Sequence, residues 1–375
     1  MRPVRAEIDL GAIEYNIREI RHITETSAKV MAVVKANAYG HGAIEVSKTV
    51  LNNGADWLGV ALLQEAIQLR ESGFTAPILI LGYTPVYQMN KVIEYDLRQT
   101  IYTKDQAEAL ASAAAKAGKK GLAHIKVDTG MGRIGIPLGS HVVNELIKLG
   151  RMPGLVPEGI FTHFATADAV DKACAKQQFE SFIDVLEKLK RKGMEFPVRH
   201  AANSAALIDL PDTHLDLVRP GVIIYGMYPS DKVCKDKINL KQAMTVAAEV
   251  SYVKKVTSGT AISYGGTFIT QVPSVIASLP LGYADGYSRI LSNKAQVLIK
   301  GQRVPIVGRV CMDQCMVDVT NLGEEIRMGE EAVLLGAQGP EFISADEIAA
   351  RIGTINYEVT CMISHRVPRT YTRYQ

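Results

Sequence analysis

The chain has 375 residues, 47% of them hydrophobic and 22% charged, which excludes a disordered or fibrous protein and is long enough for two folding units or one barrel with an appendage. Forty-two basic against thirty-nine acidic side chains leave a formal +3, too small and too dispersed to point to nucleic acid or a membrane surface. The start carries Arg2, Arg5, Glu7, Asp9 and Glu14 without a continuous apolar run, so no secretory signal is expected, and no run approaches a membrane span. Five cysteines, Cys174, Cys234, Cys311, Cys315 and Cys361, are an odd and sparse set that favours reduced thiols in a cytoplasm. Cys311 and Cys315 have no second Cys/His pair to complete a tetrahedral zinc site, so no metal is expected.

From about residue 10 to 235, short apolar runs alternate with segments of helical period, the pattern of repeated βα units. Strands are expected to end at Val34-Lys35, Trp57 to Leu62, Pro77 to Leu81, Arg98 to Tyr102, Leu122 to Val127, Pro157 to His163, Pro197 to Ala201 and Leu217 to Tyr225. Segments such as Gln106 to Lys116 and Ala175 to Lys192 repeat apolar residues near every 3.6 positions, as helices packing on a sheet do. Eight such units predict an α/β fold with an N-terminal (β/α)8 TIM-like barrel.

From residue 236 to 375 the texture is different. Val246 to Val253, Val275 to Leu279, Ala295 to Ile299, Val304 to Val307 and Glu331 to Leu335 are β-rich and joined by glycine-containing turns. They predict a C-terminal, mostly antiparallel β domain with one short helix, Ser344 to Arg351, capped by Ser344. Residues 1–9 are expected to associate with this second domain.

Loops at the C-terminal ends of barrel strands are free to specialise, so polar residues there are candidates for chemistry. Lys35 follows the apolar run Val30 to Val34 and opens Lys35-Ala-Asn-Ala-Tyr-Gly-His-Gly42, too rich in small and flexible residues for a packed helix. An amine emerging from an apolar strand can lose its proton and attack an aldehyde; a strand-end lysine reaching out to water is the plain alternative. Lys126-Val-Asp-Thr-Gly-Met-Gly-Arg-Ile-Gly135 contains G-x-G-x-x-G, after an expected strand and before an expected helix, which admits a nicotinamide dinucleotide. The better reading is that Arg133 offers a bidentate fork to a carboxylate while the glycines permit a tight backbone. Asn203-Ser204 after one strand, with Gly221 and Val222 in Arg219-Pro-Gly-Val222, could place Ser204 and the two backbone N–H groups on a phosphate, or could be a helix cap and an ordinary turn.

Together these motifs resemble the alanine racemase family. The resemblance is carried by Val33 to Gly42, Lys126 to Gly135, Thr162-His-Phe-Ala165, Val218-Arg-Pro-Gly221, Ser263-Tyr-Gly265, Leu281-Gly-Tyr-Ala-Asp-Gly286, Gly308-Arg-Val-Cys-Met-Asp313, Asn356-Tyr357 and His365-Arg-Val-Pro-Arg369, in family order across both domains. It implies racemisation of L- and D-alanine through an aldimine of pyridoxal 5'-phosphate with Lys35. Tyr39, Ser204, Gly221, Val222 and Tyr357 would hold the phosphate, and Arg219 would face the pyridine nitrogen. His163 would link Arg219 to a tyrosine base. Moving a proton from one face of a carbon to the other calls for two acid/base groups; the resemblance assigns them to Lys35 and to Tyr264 from the second subunit of a homodimer. Arg133 and the Met312 N–H would take the substrate carboxylate. Lys126 matches the family lysine that carries a carbamate, and Cys311, Asp313, Tyr283, Arg289, Arg309 and Asp168 match the site margin and entry corridor. Tyr357 matches a bulky residue that narrows the pocket toward alanine, with a serine or broad-specificity racemase as the runner-up. A non-catalytic pyridoxal-phosphate carrier would not need Tyr264. The family role suggests D-alanine for cell-wall peptidoglycan.

Overall fold

A computed structural model describes residues 3–322 and 325–373, so Arg2 of the charged start lies outside the described residues. The chain forms two compact units, one of Ile13–Ala38 and Ala43–Lys241, the other of Met1–Ala12, Tyr39–Gly42 and Gln242–Gln375. Among the described residues no helix is long and apolar enough to cross a membrane.

In the first unit eight strands run parallel in one sheet, in the order Leu217–Val218, Lys29–Val33, Trp57–Val60, Ile78–Ile80, Arg98–Ile101, Gly121–Asp128, Leu155–Phe161 and Val198–His200. The remaining gap is spanned by the Asp216 N–H donating to the Arg199 carbonyl at 3.1 Å and the Arg219 N–H to the Ala202 carbonyl at 3.0 Å. A strand is present in each of the eight expected runs, curled into a nearly closed barrel. The last, expected over Leu217 to Tyr225, is a strand only at Leu217–Val218: it breaks off at Pro220-Gly221, and Val222–Tyr225 forms a short helix. The helix Lys104–Lys116 starts in a capping box of Thr103 with Gln106 and buries Ala107, Leu110, Ala111 and Ala114, a spacing that keeps one stripe against the sheet. Ala173–Arg191 does the same through Ala175, Phe182, Val185 and Leu189, with Lys188, Lys190 and Arg191 at its negative end.

Strand alternation decides what lies inside the barrel. Along Gly121–Asp128, Ile125 and Val127 share one face, while His124 and Lys126 share the other, 0% and 2% exposed. Met31, Trp57, Leu79 and Leu217, from four strands, form an apolar layer, and the Trp57 ring meets His124 edge-on with centroids 5.5 Å apart. Each such buried apolar side chain contributes roughly 1.5–3 kcal/mol.

The second unit is β-rich. One sheet runs Gln302–Pro305, Gln296–Ile299, Glu331–Gln338, Met244–Glu249, Val4–Asp9 and Arg369–Thr372, and a three-stranded sheet runs Tyr252–Val256, Ser274–Leu279 and Cys315–Asp318. Val246 to Val253 reads as a single strand in sequence but is divided between the two sheets. The Val250 N–H donates to the Glu330 carbonyl at 2.7 Å and the Ser251 N–H to the Ser278 carbonyl at 2.9 Å, so the backbone passes from one ladder to the other at this point. The expected short helix is Ala345–Ile352, with Ser344 Oγ accepting from the Glu347 N–H at 3.0 Å.

Tyr39–Gly42 packs with this second unit because Gly40 has no side chain. Its φ is +86°, and a Cβ there would lie 2.2 Å from the Thr360 carbonyl oxygen. Gly40→Ala therefore combines left-handed strain with a backbone collision, and is expected to lower stability by about 2–4 kcal/mol, read as a fall in denaturant midpoint. An unchanged midpoint would show that the turn does not sit against Thr360.

Candidate active site

The C-terminal ends of the barrel strands collect cations. Lys35 follows Lys29–Val33, Lys126 lies near the end of Gly121–Asp128, and Arg219 follows Leu217–Val218. Arg133 is exposed in the loop after Asp128. Their charges act on one another. Burial, then Arg133, Arg219 and Lys35, push the Lys126 amine down to about 7, against a weaker opposing pull from Asp128. Burial and Arg133 push the Arg219 guanidinium down to about 9, which leaves it protonated at neutral pH. Among the described residues no carboxylate pairs with Arg219, although it is 4% exposed. Neutral acceptors hold it instead. Its Nη1 donates to His200 Nδ1 at 2.8 Å, and its Nη2 to the carbonyls of Thr162 and Ala201 at 2.8 and 2.9 Å and toward His163 Nδ1 at 3.3 Å. The Phe161 ring centroid lies 5.3 Å from the Arg219 guanidinium carbon and 5.6 Å from Lys126 Nζ, and the ring stacks on His200 at 4.6 Å.

The segment after Lys35, expected not to form a packed helix, is a left-handed turn. Ala36, Asn37, Ala38 and Tyr39 have φ between 52° and 54°, a conformation that costs each L-residue roughly 1–2 kcal/mol. Local hydrogen bonds offset this. Glu65 Oε1 accepts from the Ala36 N–H at 2.6 Å while Oε2 accepts from the N–H groups of Ala61 and Leu62 at 2.8 and 3.0 Å. Asn37 Oδ1 accepts from the Ala43 N–H at 2.9 Å.

The glycine loop also differs from expectation. Gly130, Met131 and Gly132 donate their N–H groups to Asp128 Oδ1 at 3.0, 2.8 and 3.1 Å, and the loop continues into the short strand Ile136–Pro137 rather than a helix. With its amides turned onto Asp128, and a short strand standing between it and the helix Val142–Gly150, it is not a dinucleotide turn. Asn203, not Ser204, caps the helix Ser204–Asp209, accepting from the Ala206 N–H at 3.0 Å. Ser204 Oγ instead accepts from the Gly221 N–H at 2.8 Å, which brings these two predicted residues together and leads into Val222–Tyr225. Asp168 is exposed, its carbonyl accepting from Ser230 Oγ at 2.6 Å, and is not part of the hydrogen bonds that gather the others.

The second unit assembles its own set. Ser263, with φ 63°, donates from Oγ to the Arg309 carbonyl at 2.7 Å and lies 3.4 Å from Cys311 Sγ. It thereby fixes the short turn Tyr264–Gly266, on which Tyr264 stands 72% exposed. The N–H groups of Tyr283 and Ala284 donate to the carbonyls of Cys311 and Met312 at 3.0 Å each. Gly282 permits this approach, since a Cβ there would lie 2.3 Å from the Cys311 oxygen. Ser292 Oγ donates to the Arg289 carbonyl at 2.5 Å and accepts from the Val310 N–H at 2.9 Å, tying the Arg289 turn to the same loop. Asp313 accepts from Arg366 at 2.6 Å. Tyr39 and Tyr357 face each other at 6.0 Å between ring centroids, and burial, with Tyr357 and Cys361, raises the Tyr39 phenol. Burial pushes the Cys315 thiol up to about 12, so it stays protonated and is a poor metal ligand.

Asp128, Glu65, Gln178 and His200 were not singled out in sequence. Gln178 accepts from the Ala165 N–H at 2.9 Å and donates to the His163 carbonyl at 3.2 Å, fixing the His163 loop from the helix behind it. Of these, His200 and Asp128 carry a sequence signal, as polar residues at or just beyond the ends of expected strands.

Residues 8–229 match the family described as "Alanine racemase, N-terminal domain" and residues 243–371 that described as "Alanine racemase, C-terminal domain". The alanine racemase of Methanococcus maripaludis is 51% identical over 369 residues, covering 98% of each chain, and that of Clostridium perfringens 48% identical over 373 residues, covering 100% of this chain and 96% of the relative. Among solved structures, alanine racemase from Clostridium difficile 630 superposes with a TM-score of 0.95 at 41% identity, and that from Bacillus anthracis with bound L-Ala-P with 0.94 at 39%. Each covers 100% of this chain and 96% of its own. A chain alike over its whole length to these enzymes is an amino-acid racemase, an isomerase. It belongs to the alanine racemase family.

Burial is the largest influence on His124, His163 and His200, and it holds all three imidazoles below their usual value of 6.5. The unfolded chain therefore takes up protons below pH 6.5 that the folded chain refuses. Their contribution to stability is complete above that pH and is lost as pH falls toward the folded values, by up to about 1.4 kcal/mol per histidine per pH unit. The denaturant midpoint is expected to fall from pH 6.5 to 5, and a flat profile would contradict the burial of these rings.

Proposed function

We propose that the protein interconverts L- and D-alanine with pyridoxal 5'-phosphate held at the C-terminal end of the barrel. Lys35 would serve one face of the substrate carbon and Tyr264 of the partner subunit the other. The observation that carries this reading is the convergence of Lys35, Lys126, Arg133 and Arg219 with one opposing carboxylate, Asp128, among the charges acting on Lys126. Such a site takes anions: the phosphate of a cofactor and the carboxylate of an amino acid.

The residues present fit the cofactor. Ser204 and Gly221 are already joined by a hydrogen bond, and with Val222 at the head of a short helix they form a corner for phosphate. The family resemblance would add the phenols of Tyr39 and Tyr357, whose ring centroids lie 6.0 Å apart, to the groups that hold the phosphate. Bound there, pyridoxal phosphate supplies an electron sink that acidifies the substrate Cα–H. Lys35 would hold the cofactor's aldehyde carbon and carry a proton on its own face. Arg219 would donate to the ring nitrogen without giving up a proton, because it remains charged at neutral pH. A ring left unprotonated withdraws electrons weakly, so proton return is favoured over competing bond cleavage. His163, neutral beside Arg219, would carry that influence to the tyrosine. The strong exposure of Tyr264 and Met312 supports their delivery to another subunit in a homodimer, where the Met312 N–H joins Arg133 on the substrate carboxylate.

Tyr264→Phe is expected to lower kcat in both directions by about 100-fold or more, the range removed with a general acid or base. Washing out of the Cα deuteron from one enantiomer should persist, because Lys35 still serves that face. Unchanged racemisation would refute the two-base reading. Alanine should outrun serine and lysine, since Tyr357 narrows the pocket, and equal rates would favour broad specificity.

An amine near 7 is substantially unprotonated at neutral pH, the form that adds to carbon dioxide to give a carbamate and a proton. Lys126 is therefore proposed to carry one, replacing a cation by an anion beside Arg133. A carbamate carbon resonance from labelled bicarbonate should appear in the native protein and vanish in Lys126→Ala; its absence from the native protein would remove the modification. All five cysteines are thiols rather than disulfides, which supports a reducing cytoplasm, and we assign the product, D-alanine, to cell-wall synthesis.

A further inference from the structure

A line of hydrogen bonds leads from Arg219 down through the barrel interior. Arg219 Nη1 meets His200 Nδ1 at 2.8 Å, His200 Nε2 meets His124 Nδ1 at 2.8 Å, and His124 Nε2 meets Glu158 Oε2 at 3.4 Å. Arg98 Nε closes the line by donating to the same Glu158 oxygen at 3.1 Å. Both imidazoles are 0% exposed.

The chemistry of the first member fixes the polarity of the whole line. A guanidinium only donates, so His200 Nδ1 must accept and its proton sits on Nε2. His124 Nδ1 must then accept, so His124 also carries its proton on Nε2 and donates it to Glu158. A line that begins on an obligate donor has to end on an acceptor, and Glu158 is that acceptor. Burial pushes its carboxyl up, but the His124 hydrogen bond and the Arg98 charge outweigh this and hold it below the ordinary carboxylate value.

Two features of the backbone serve this arrangement. The ladder between Gly121–Asp128 and Leu155–Phe161 pairs Ala123 with Pro157 but His124 with Gly159, so Glu158 is the extra residue of a β-bulge in a parallel sheet. Bulges re-aim side chains and are rare between parallel strands. Next to it, a Cβ on Gly159 would stand 2.4 Å from His124 Nδ1, so the ring occupies space that only glycine leaves open.

We propose that Glu158 is a positioning residue for Arg219, acting through His124 and His200: it orients both imidazoles and supplies the negative charge that this buried guanidinium otherwise lacks. The proposal rests on the reading that Arg219 faces the cofactor ring.

The test uses the cofactor-loaded protein with 15N-labelled histidine, in which ring-nitrogen spectra distinguish Nε2–H from Nδ1–H imidazole. His124 and His200 are both expected as Nε2–H. Glu158→Leu removes the terminal acceptor and should disturb both rings, lowering kcat for alanine about tenfold or more with KM within about twofold. Glu158→Gln keeps an acceptor without the charge, so the ring pattern should persist while kcat falls about threefold or more, and this variant decides the question if Glu158→Leu does not fold. A native His200 or His124 carrying its proton on Nδ1, or full kcat in Glu158→Gln, would overturn the proposal. The cofactor-facing reading fails separately, if the visible band of the bound cofactor is the same in Arg219→Lys as in the native protein.

Discussion

A positive charge sealed inside a barrel with no carboxylate beside it is the constraint around which this site is arranged. Desolvating a guanidinium costs several kcal/mol unless every N–H finds an acceptor. Arg219 meets much of that demand through Nη1 and Nη2, with two backbone carbonyls, one buried imidazole and a longer contact to a second imidazole. Those partners lie at the ends of neighbouring strands, so the barrel must bring the Thr162, Ala201 and Arg219 backbones together before the charge is tolerable. Burial likewise depresses the histidines and, with Arg133 and Arg219 nearby, lowers Lys126 toward neutrality, leaving the strand ends in need of anions.

That shortage of negative charge joins the fold to the chemistry. On the proposed function a phosphate and an amino-acid carboxylate would both relieve it, at places the fold keeps distinct: Ser204 and Gly221 are joined by a hydrogen bond, whereas Arg133 stands on a loop held by Asp128. Phe161 offers its ring to both Lys126 and Arg219, a cation–π attraction that offsets part of their mutual repulsion.

Much of this was legible in the sequence because it depends on period and strand ends. Each of the eight apolar runs contains a strand, and Lys35 and Ser204 stand out as polar residues after such runs, whereas Lys126, His163 and Arg219 drew their roles from the family resemblance. What escaped notice depends on conformation that residue type does not announce. Alanine has no preference for the left-handed turn at Ala36 and Ala38, which is held by Glu65, a residue distant in sequence. The bulge at Glu158 is invisible to a period-2 reading, since the extra residue appears only when two strands are laid side by side. Val246 to Val253 looked continuous because both halves are equally apolar, and only the ladder partners show the change of sheet at Val250.

The account depends most on Arg219 remaining a donor that never yields its proton. The direct measurement is the 15N chemical shift of ring-labelled pyridoxal phosphate bound to the protein at neutral pH. An unprotonated pyridine nitrogen, shifted modestly by a hydrogen bond, is the predicted result; the shift of a pyridinium would contradict it.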